Sequence, residues 1–402
     1  MKVTVYFIIF IAIVCGCSSS HKPSENNSIS GWNVIAKKVM HPDPLIECDL
    51  NLVNQKTVFP LSNLVTEFKL IKLDNATKER MISVNDKICL STNHIIVYGS
   101  GSQTTKLFDG KGNFISIVGN IGDGPGEYAP WAETVQIDEK NKRIYQTTIA
   151  NQVCINVYSL EDGRFIKRIP LVEKGNRARM FVDTQRERVS VLQVPMPHAN
   201  YIIWEQDFSN HVMGGVSASQ YQDANYTNSA YGWNSGCIEP VLNKLTGKIS
   251  ASFVHYFPTK DSLYHFENHK LSPYFTVNYV DNNNIPYHTI DELNRYFLIT
   301  LYINDGSVFK KLDKRIIVDK ETLKGCEISL LLDELGNIPI DFIPTFQNGF
   351  FYYNISPEEL EEKIRVALQS SDVTKKNKEK LTRVLDEIEP DDNNYIMIGV
   401  LK

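Results

Sequence analysis

The sequence predicts an all-β fold, a six-bladed β-propeller with a short two-helix insertion near the C-terminus. Short apolar strands separated by turn residues fill most of the chain from residue 51 to residue 402. The order apolar strand, aromatic residue, acidic-glycine turn and Phe-Ile strand occurs at 107–117 and again at 157–169, about 50 residues later. Such a repeat of antiparallel strands is typical of a propeller with one four-stranded blade per repeat. Weaker repeats occur at 178–215, 248–279, 294–332 and 345–402, which brings the count to six.

Individual strands are bounded by turn residues. Asp109-Gly110 lies between two apolar runs and predicts a hairpin over 105–118. At the other end of the chain, Asp391–Asn394 is a turn before the apolar strand Tyr395–Leu401. Propellers often close the ring by pairing a terminal strand with strands from the opposite terminus. We therefore assign Tyr395–Leu401 to the last blade.

Residues 356–389 depart from the strand pattern and predict two helices. Ser356 is placed to cap the first helix, with Pro357 at its first position and Glu359 able to complete a capping box. Apolar residues at helical spacing define one face of each helix. They are Leu360, Ile364, Ala367 and Leu368 in the first helix and Leu381, Val384, Leu385 and Ile388 in the second. We expect an insertion packed on the last blade, with a partner-docking surface as the alternative.

The N-terminus has the pattern of an export signal. A lysine, an apolar run over 3–14 and a small-residue junction predict a signal peptide at residues 1–16, since the run is too short to span a bilayer. The junction before Cys17 resembles the lipobox of bacterial lipoproteins, which implies lipid modification of Cys17. Residues 17–50 are then expected to be the lipidated residue and a flexible tether. This predicts an outer-membrane lipoprotein of the cell envelope, on the periplasmic face rather than the cell surface.

Composition excludes some functions. The net charge is −5 and charged residues make up 22% of the chain, so no strongly basic face for nucleic acid is indicated. After Cys15 and Cys17, five scattered cysteines remain, and no Cys-x-x-Cys pair occurs. We expect isolated thiols, although the compartment allows a disulfide. These residues are Cys48, Cys89, Cys154, Cys237 and Cys326.

A glycine-rich segment follows the first predicted hairpin. Its residues are Gly122, Gly124, Pro125, Gly126, Glu127 and Tyr128. It lacks the Gly-Lys-Ser/Thr ending of a phosphate loop, and no helical pattern follows it. The glycines suit positive φ and Pro125 fixes its own φ, which predicts a tight structural turn between blades. Glu127 is placed to accept hydrogen bonds from N–H groups of the loop.

Residues 219–237 are polar, aromatic and nearly uncharged. Aromatic faces beside amide and hydroxyl groups suit a sugar or a peptide, and long loops often carry function. The candidate ligand contacts are Tyr221, Tyr226, Tyr231 and Trp233. The alternative is a connection between blades whose aromatic rings pack on the neighbouring blade.

No catalytic constellation emerges from the sequence, and no catalytic residue, metal or cofactor is predicted. Gly-x-Ser-x-Gly and His-Glu-x-x-His motifs are absent. Four histidines with Asp261 or Glu267 are the only metal ligands worth weighing, and their spacing does not favour a site. They are His255, His265, His269 and His288. Carboxylates are scattered through the chain, and the sequence does not separate channel-lining acids from solvated turn acids.

Several motifs together resemble a known family. The segment 108–115 followed by 121–128 looks like the signature of the six-bladed β-propeller lipoproteins of Gram-negative gut anaerobes, which are similar in fold to NHL-repeat and TolB-like propellers. The segments 261–264 and 271–275 resemble their mid-chain blade motif, and 391–394 with the terminal Leu401-Lys402 resembles their chain ends. Asn120 and Asn394 depart from the frequent basic residue and proline. The resemblance covers roughly 55–402 and implies location and architecture without a reaction.

The favoured hypothesis is a lipid-anchored, non-enzymatic propeller that binds an unknown ligand or partner, protein or glycan, and meets the membrane through its N-terminal lipid. The alternative is a metal-assisted hydrolase or lyase on the same scaffold, because propellers host both binding proteins and enzymes. A structural scaffold of the envelope is the third hypothesis.

Overall fold

Six sheets of at least four strands each make up the described part of the chain. The computed structural model describes residues 29, 31–99, 104–129, 132–148, 153–175, 177–194, 198–221, 238–245, 248–255, 262–281, 285–303, 311–371 and 373–402. The signal peptide and Cys17 lie outside these residues.

The N-terminal segment contributes strands to three different sheets. Its strands are β1 (Asn33–Val34), β2 (Ala36–His41), β3 (Asp43–Asp49), β4 (Lys56–Pro60) and β5 (Val65–Lys72). Short 3-10 turns occur at Leu50–Leu52, Leu61–Asn63 and Lys78–Arg80. The tether predicted over residues 17–50 is therefore too long, because 33–49 is strand. Buried side chains such as Ile35 and Cys48, both at 0% exposure, hold this segment on the body of the protein.

The next three sheets each use four consecutive antiparallel strands. Sheet 1 is β6 (Lys87–Leu90), β7 (His94–Tyr98), β8 (Thr105–Asp109) and β9 (Phe114–Val118). The parallel pair β10 (Asn120–Ile121) and β11 (Glu127–Tyr128) follows. Sheet 2 is β12 (Ala132–Asp138), β13 (Arg143–Thr148), β14 (Cys154–Ser159) and β15 (Phe165–Pro170). Sheet 3 is β16 (Arg179–Asp183), β17 (Arg188–Leu192), β18 (Tyr201–Asp207) and β19 (Val212–Ser217), with a 3-10 turn at Ala218–Gln220.

Two sheets are enlarged at their outer edges by the N-terminal segment. Sheet 4 is β20 (Ile238–Leu245), β21 (Lys248–His255), β22 (Ser262–Glu267) and β23 (Lys270–Asn278). Strand β3 pairs in parallel with β23, and β2 pairs with β3. Sheet 5 is β24 (Tyr287–Glu292), β25 (Tyr296–Ile303), β26 (Lys311–Asp319) and β27 (Lys324–Leu332), and a 3-10 turn at Asp333–Leu335 precedes β28 (Ile338–Pro339). Strands β1, β4 and β28 all pair with β27.

Sheet 6 joins the two ends of the chain. It consists of β29 (Thr345–Gln347), β30 (Phe350–Ile355), β31 (Tyr395–Leu401) and the N-terminal strand β5. Strand β31 pairs antiparallel with β5, with Ile396 opposite Ile71. The terminal strand thus lies in the last sheet beside a strand from the other terminus, as the sequence predicts.

Six hydrophobic cores lie between these sheets, and each core joins two sheets that follow one another. Representative pairs are Leu107 with Ile144 (sheets 1 and 2), Tyr145 with Trp204 (sheets 2 and 3), Ile203 with Ala251 (sheets 3 and 4), Phe275 with Phe297 (sheets 4 and 5), Ile317 with Phe351 (sheets 5 and 6), and Ile396 with Ile95 (sheets 6 and 1). Because the sixth core returns to sheet 1, burial of apolar surface holds the sheets together as an all-β propeller with two helices.

The turn before β31 reinforces this closure with hydrogen bonds. Fully buried Asn393 donates from Nδ2 to the carbonyl oxygens of Asp74 and Arg80, at 2.8 and 2.9 Å, and its Oδ1 accepts from the Ile82 N–H at 3.0 Å. Lys72 Nζ lies 2.5 Å from a carboxylate oxygen of buried Asp392. These contacts tie residues more than 300 positions apart in sequence.

The insertion in sheet 6 contains helices α1 (Pro357–Gln369) and α2 (Lys375–Asp386). Ser356 Oγ accepts the Glu359 N–H at 3.2 Å, as expected for the helix cap. The second half of the predicted capping box does not form, because the Glu359 carboxylate accepts from the Tyr353 hydroxyl at 3.3 Å. Leu360, Ile364 and Leu381 are fully buried in the core between sheets 5 and 6.

Two further features concern location and redox state. Among the described residues, no helix combines the length and apolar character needed to cross a membrane. Four of the five remaining cysteines lie in the described part and have free thiols, namely Cys48, Cys89, Cys154 and Cys326. Burial raises the pKa of the Cys48, Cys89 and Cys326 thiols to about 12, so these side chains are neutral at physiological pH.

Candidate functional site: the axial channel

The first strands of all six sheets line one cavity of about 690 Å³. These strands are β6, β12, β16, β20, β24 and β29, and each contributes at least two residues to the wall. A cavity at the axis follows from the fold, because the innermost strands of a propeller surround a central channel. Its volume lies in the range of small-molecule sites in proteins, which are concave and mostly apolar with a few polar groups. We call this cavity the axial channel.

The channel wall is mixed in chemistry. Aromatic residues from four sheets line it, and amide and hydroxyl groups lie between them. The aromatic residues are Tyr98, Phe181, Tyr302, Phe346, Phe350, Tyr352 and Tyr353. Gln347 Nε2 donates to the carbonyl oxygen of Leu242 at 3.1 Å, and Asn243 Oδ1 accepts the Asn348 N–H at 2.8 Å. These two bonds connect sheet 6 directly to sheet 4.

Three carboxylates of the described residues line the channel, and they differ in their hydrogen bonds. Asp86 accepts the Ser83 N–H at 2.9 Å. Glu139 accepts from Ser91 Oγ at 2.5 Å and contacts His94 Nδ1 at 2.9 Å. Asp291 accepts no hydrogen bond from any described residue, and its side chain is partly exposed in the wall of sheet 5. Asp291 is therefore the lining carboxylate whose hydrogen-bonding capacity is unused within the described chain.

The surroundings of Asp291 explain its electrostatics. Burial raises the pKa of Asp291 to about 7, and the Arg315 guanidinium opposes this rise. Arg315 forms no ion pair with it, because its two terminal nitrogens donate to the carbonyl oxygens of Ile340, at 2.6 Å, and Phe342. The nearby Tyr302 hydroxyl lies 3.3 Å from Thr289 Oγ1. Asp291 thus titrates near neutral pH inside a cavity, a property that is enriched at functional sites.

A second polar group of the channel lies on sheets 1, 3 and 6. Burial raises the pKa of Tyr352, which also interacts electrostatically with Cys89 and with the Arg179 guanidinium. The Cys89 thiol is neutral because of its burial. This group offers hydrogen-bond donors and one cation to the channel, but the thiol is not an activated nucleophile.

The glycine-rich segment lies away from the channel, between sheets 1 and 2. Gly124 N–H donates to Glu127 Oε2 at 2.8 Å, and the buried Tyr128 hydroxyl accepts the Thr105 N–H at 2.9 Å. Gly122 and Gly126 have φ of +154° and +79°, as the glycines predict for a tight turn. A Cβ at Gly126 would lie 2.3 Å from Phe165 Cγ. Pro125 lies in the same turn. These contacts indicate that the segment has a structural role.

The aromatic segment lies almost wholly outside the described residues. Of its candidate contacts, only Tyr221 is described; it is partly buried in the core of sheets 3 and 4, with its ring 6.4 Å from that of Tyr264. Tyr226, Tyr231 and Trp233 lie outside the described residues. The segment enters β20 at Ile238, and β20 itself lines the channel.

The weighed histidines do not converge in the described structure. His265 Nε2 lies 2.9 Å from Glu292 Oε2, and its ring stacks on Tyr274 at 3.8 Å. His288 Nδ1 lies 2.9 Å from the carbonyl oxygen of Pro286. Glu267 pairs with Lys248 at 3.3 Å. Among the described residues, which exclude Asp261 and the His255 side chain, no three His, Cys, Asp or Glu form a group able to hold a metal.

Sequence reasoning did not single out Asp291. It lies in the alternating strand Tyr287–Glu292, where one acidic side chain follows another, and only the fold shows which of the two faces the channel. Glu292 instead pairs with Lys320 Nζ at 2.7 Å and with His265.

Fold and channel together define the class of protein: an all-β propeller with two helices and an axial cavity. The chain belongs to a family described as a domain of unknown function, DUF4934, whose model matches residues 45–399. No curated protein matches the sequence significantly.

Three solved structures are similar to this chain. A Bacteroides fragilis NCTC 9343 protein named "Putative exported protein" is similar over 87% of this chain and 100% of its own, with 13% identity and a TM-score of 0.57. The computationally designed Ika8 protein shares 10% identity over 72% of this chain and 71% of its own, with a TM-score of 0.35. The Cps50 (Swd1) β-propeller domain of Myceliophteria thermophila shares 8% identity over 60% of this chain and 68% of its own, with a TM-score of 0.32.

Proposed function

We propose that this protein is an extracytoplasmic binding module whose ligand site is the axial channel. The observation that carries the proposal is a cavity of about 690 Å³ lined by the innermost strand of every sheet. A rigid ring with aromatic rings and a few polar groups around one cavity suits recognition of a small molecule. A metal-assisted hydrolase or lyase on the same scaffold is the alternative, and it would need His and carboxylate side chains that converge on the axis.

The number of blades and the location of the protein in the cell are part of the same proposal. We propose that the six sheets are six blades of one closed ring, supported by the six cores between successive sheets. Similarity to NHL-repeat and TolB-like propellers rests on the sequence motifs alone. The lipobox-like junction supports lipidation of Cys17, which would place the module on the periplasmic face of the outer membrane. The name of the similar Bacteroides fragilis protein agrees with export.

A channel-filling substitution tests the site. Val241 lines the channel and is partly exposed, whereas Val280 is 72% exposed and is not part of the wall. We expect at least one member of a panel of sugars, amino acids and amines to raise the melting temperature of the wild type and of Val280→Trp. The same compound should leave the melting temperature of folded Val241→Trp unchanged, because the added indole occupies the cavity.

A glycan or peptide bound at residues 219–237 is the second candidate, favoured by the aromatic composition of that segment. A ligand whose binding survives Val241→Trp but is lost on Trp233→Ala would place the site there. Loss on Val241→Trp with retention on Trp233→Ala would support the channel. Binding that survives both substitutions would contradict both candidate sites.

A further inference from the structure

The unused carboxylate of Asp291 suggests what the channel recognises, and this step rests on the function proposed above. A carboxylate that is partly withdrawn from water and accepts no hydrogen bond from the protein favours a proton or a cationic partner. The other two lining carboxylates have donors within the chain, at 2.9 Å for Asp86 and at 2.5 and 2.9 Å for Glu139. Asp291 therefore has the strongest need of a donor supplied from outside.

The charged neighbours of Asp291 leave that need unmet. Arg315, on β26, is 3% exposed and holds the main-chain oxygens of Ile340 and Phe342 instead of the carboxylate. Tyr302, on β25, contacts Thr289. Asp341, which interacts electrostatically with Arg315, is paired with Lys363 Nζ at 2.7 Å. None of these groups donates a hydrogen bond to Asp291.

The rest of the wall fits one ligand class. Aromatic residues of sheets 5 and 6 line the same cavity, and Phe350, Tyr352 and Tyr353 among them are partly exposed. Aromatic faces attract organic cations, and a hydrogen bond between an ammonium group and a carboxylate is among the strongest in proteins. Arg179 and Lys87 also line the channel, and both already interact with other groups of the protein. Asp291 is the lining acid left to balance an incoming positive charge.

We propose that the axial channel binds a small organic amine, with its ammonium group on the Asp291 carboxylate and its carbon chain along the aromatic wall. Binding then needs the ionised form of Asp291. It strengthens as the pH rises through neutrality and weakens with salt, because an ion pair forms.

Calorimetric titration with cadaverine and spermidine tests this proposal, with N,N′-diacetylcadaverine as the neutral counterpart. We expect at least one of the two amines to bind the wild type at pH 8 and the diacetylated compound not to bind. With the Asp291 pKa at about 7, affinity should fall by about 30-fold at pH 5.5.

Two variants locate the effect. Asp291→Asn keeps the shape of the side chain and removes its charge, and it should weaken amine binding at least tenfold at pH 8. Asp313→Asn removes an exposed carboxylate of the same sheet outside the channel wall and should leave the affinity unchanged. Folding of each variant is checked by its thermal melting curve.

The outcomes are distinct from those of the proposed function. Equal binding of the diacetylated compound, unchanged affinity in Asp291→Asn, or no amine binding at millimolar concentration would each overturn the inference. If a sugar or amino acid nevertheless binds wild type and not Val241→Trp, the channel remains the binding site and only the amine is wrong. If an amine binds both Val241→Trp and Asp291→Asn with the affinity of the wild type, the channel is not the binding site either.

Discussion

At the scale of single residues, Asp291 differs from the other two channel-lining carboxylates, because it accepts no hydrogen bond from the described residues. Buried side chains such as Asn393 and Asp392 have several partners each. A carboxylate without donors raises its own pKa, since the neutral form is favoured inside the protein. Such an unfavourable residue lowers the stability of the fold, which can be measured.

Asp291→Asn should stabilise the protein at neutral and alkaline pH. The folded state holds the Asp291 proton up to about pH 7, whereas the unfolded chain releases it near the ordinary pKa of 3.8. Between these values the folded state binds more protons, so this residue makes stability fall as pH rises, by about 1.4 kcal/mol for each unit between the two pKa values. Asp291→Asn does not lose stability in this way, because asparagine does not titrate.

Urea denaturation of both proteins at pH 4, 5.5, 7 and 8 checks this expectation. The difference in unfolding free energy should be small at pH 4, grow up to about pH 7 and then level off. A variant that is equally destabilised at every pH would show that the carboxylate has structural donors.

The glycine-rich turn gives a second prediction for single residues. Gly126→Ala should cost about 2–4 kcal/mol, because the new methyl group overlaps Phe165 in addition to the strain of positive φ. Gly349→Ala is the matched control: its φ is +86° and no atom lies within 4 Å of the added Cβ, so about 1 kcal/mol of strain is expected. Equal losses of unfolding free energy in the two variants would contradict close packing at Gly126.

At the scale of elements, the sequence was a good guide wherever the pattern is local. The hairpin at Asp109-Gly110 and the first helix with its Ser356 cap depend on residues close together in sequence. Strands β1 and β3 were missed because they pair with β27 and β23, more than 220 residues away, whereas β2 pairs only with the adjacent β3. The Glu359 carboxylate could not be placed because its partner Tyr353 belongs to a different element.

The turn before β31 carries a prediction for this element. Asn393→Ala removes the side chain that bonds Asp74, Arg80 and Ile82, and it leaves buried backbone groups unpaired. We expect a loss of about 3 kcal/mol or more in unfolding free energy. Faster hydrogen exchange should appear in β31 and β5, because the turn fixes their pairing.

Asp391→Ala is the control for that turn. Its side chain is exposed and makes no hydrogen bond among the described residues, whereas its main-chain oxygen accepts from Asn75. Stability within about 0.5 kcal/mol of the wild type is expected. Comparable losses in the two variants would mean that the turn acts through its backbone and not through Asn393.

At the scale of the whole molecule, the repeat in the sequence predicted a propeller, and the structure is one. The candidate site was beyond the sequence, because a lining carboxylate is distinguished only by the neighbours that folding brings to it. In the sequence, Asp86, Glu139 and Asp291 are three acidic residues that nothing sets apart. Only the fold shows that Asp86 and Glu139 have hydrogen-bond donors and that Asp291 has none among the described residues.

Lipid anchoring to the membrane is a separate prediction for the whole chain. Expression in a Gram-negative host with a radiolabelled fatty acid should label the wild type and not Cys17→Ala, which should also leave the membrane fraction. Cys15→Ala is the matched control, because that residue precedes the expected cleavage site and should not affect labelling. Equal labelling of the wild type and Cys17→Ala would remove the lipid anchor from the proposal.

A crystal structure of the mature chain with bound cadaverine tests the central claim most directly. We expect six sheets around one axial channel, with the amine in it and one nitrogen about 2.7–2.9 Å from an Asp291 carboxylate oxygen. A ring of a different number of sheets, or an amine bound elsewhere with the channel free of it, would contradict the account.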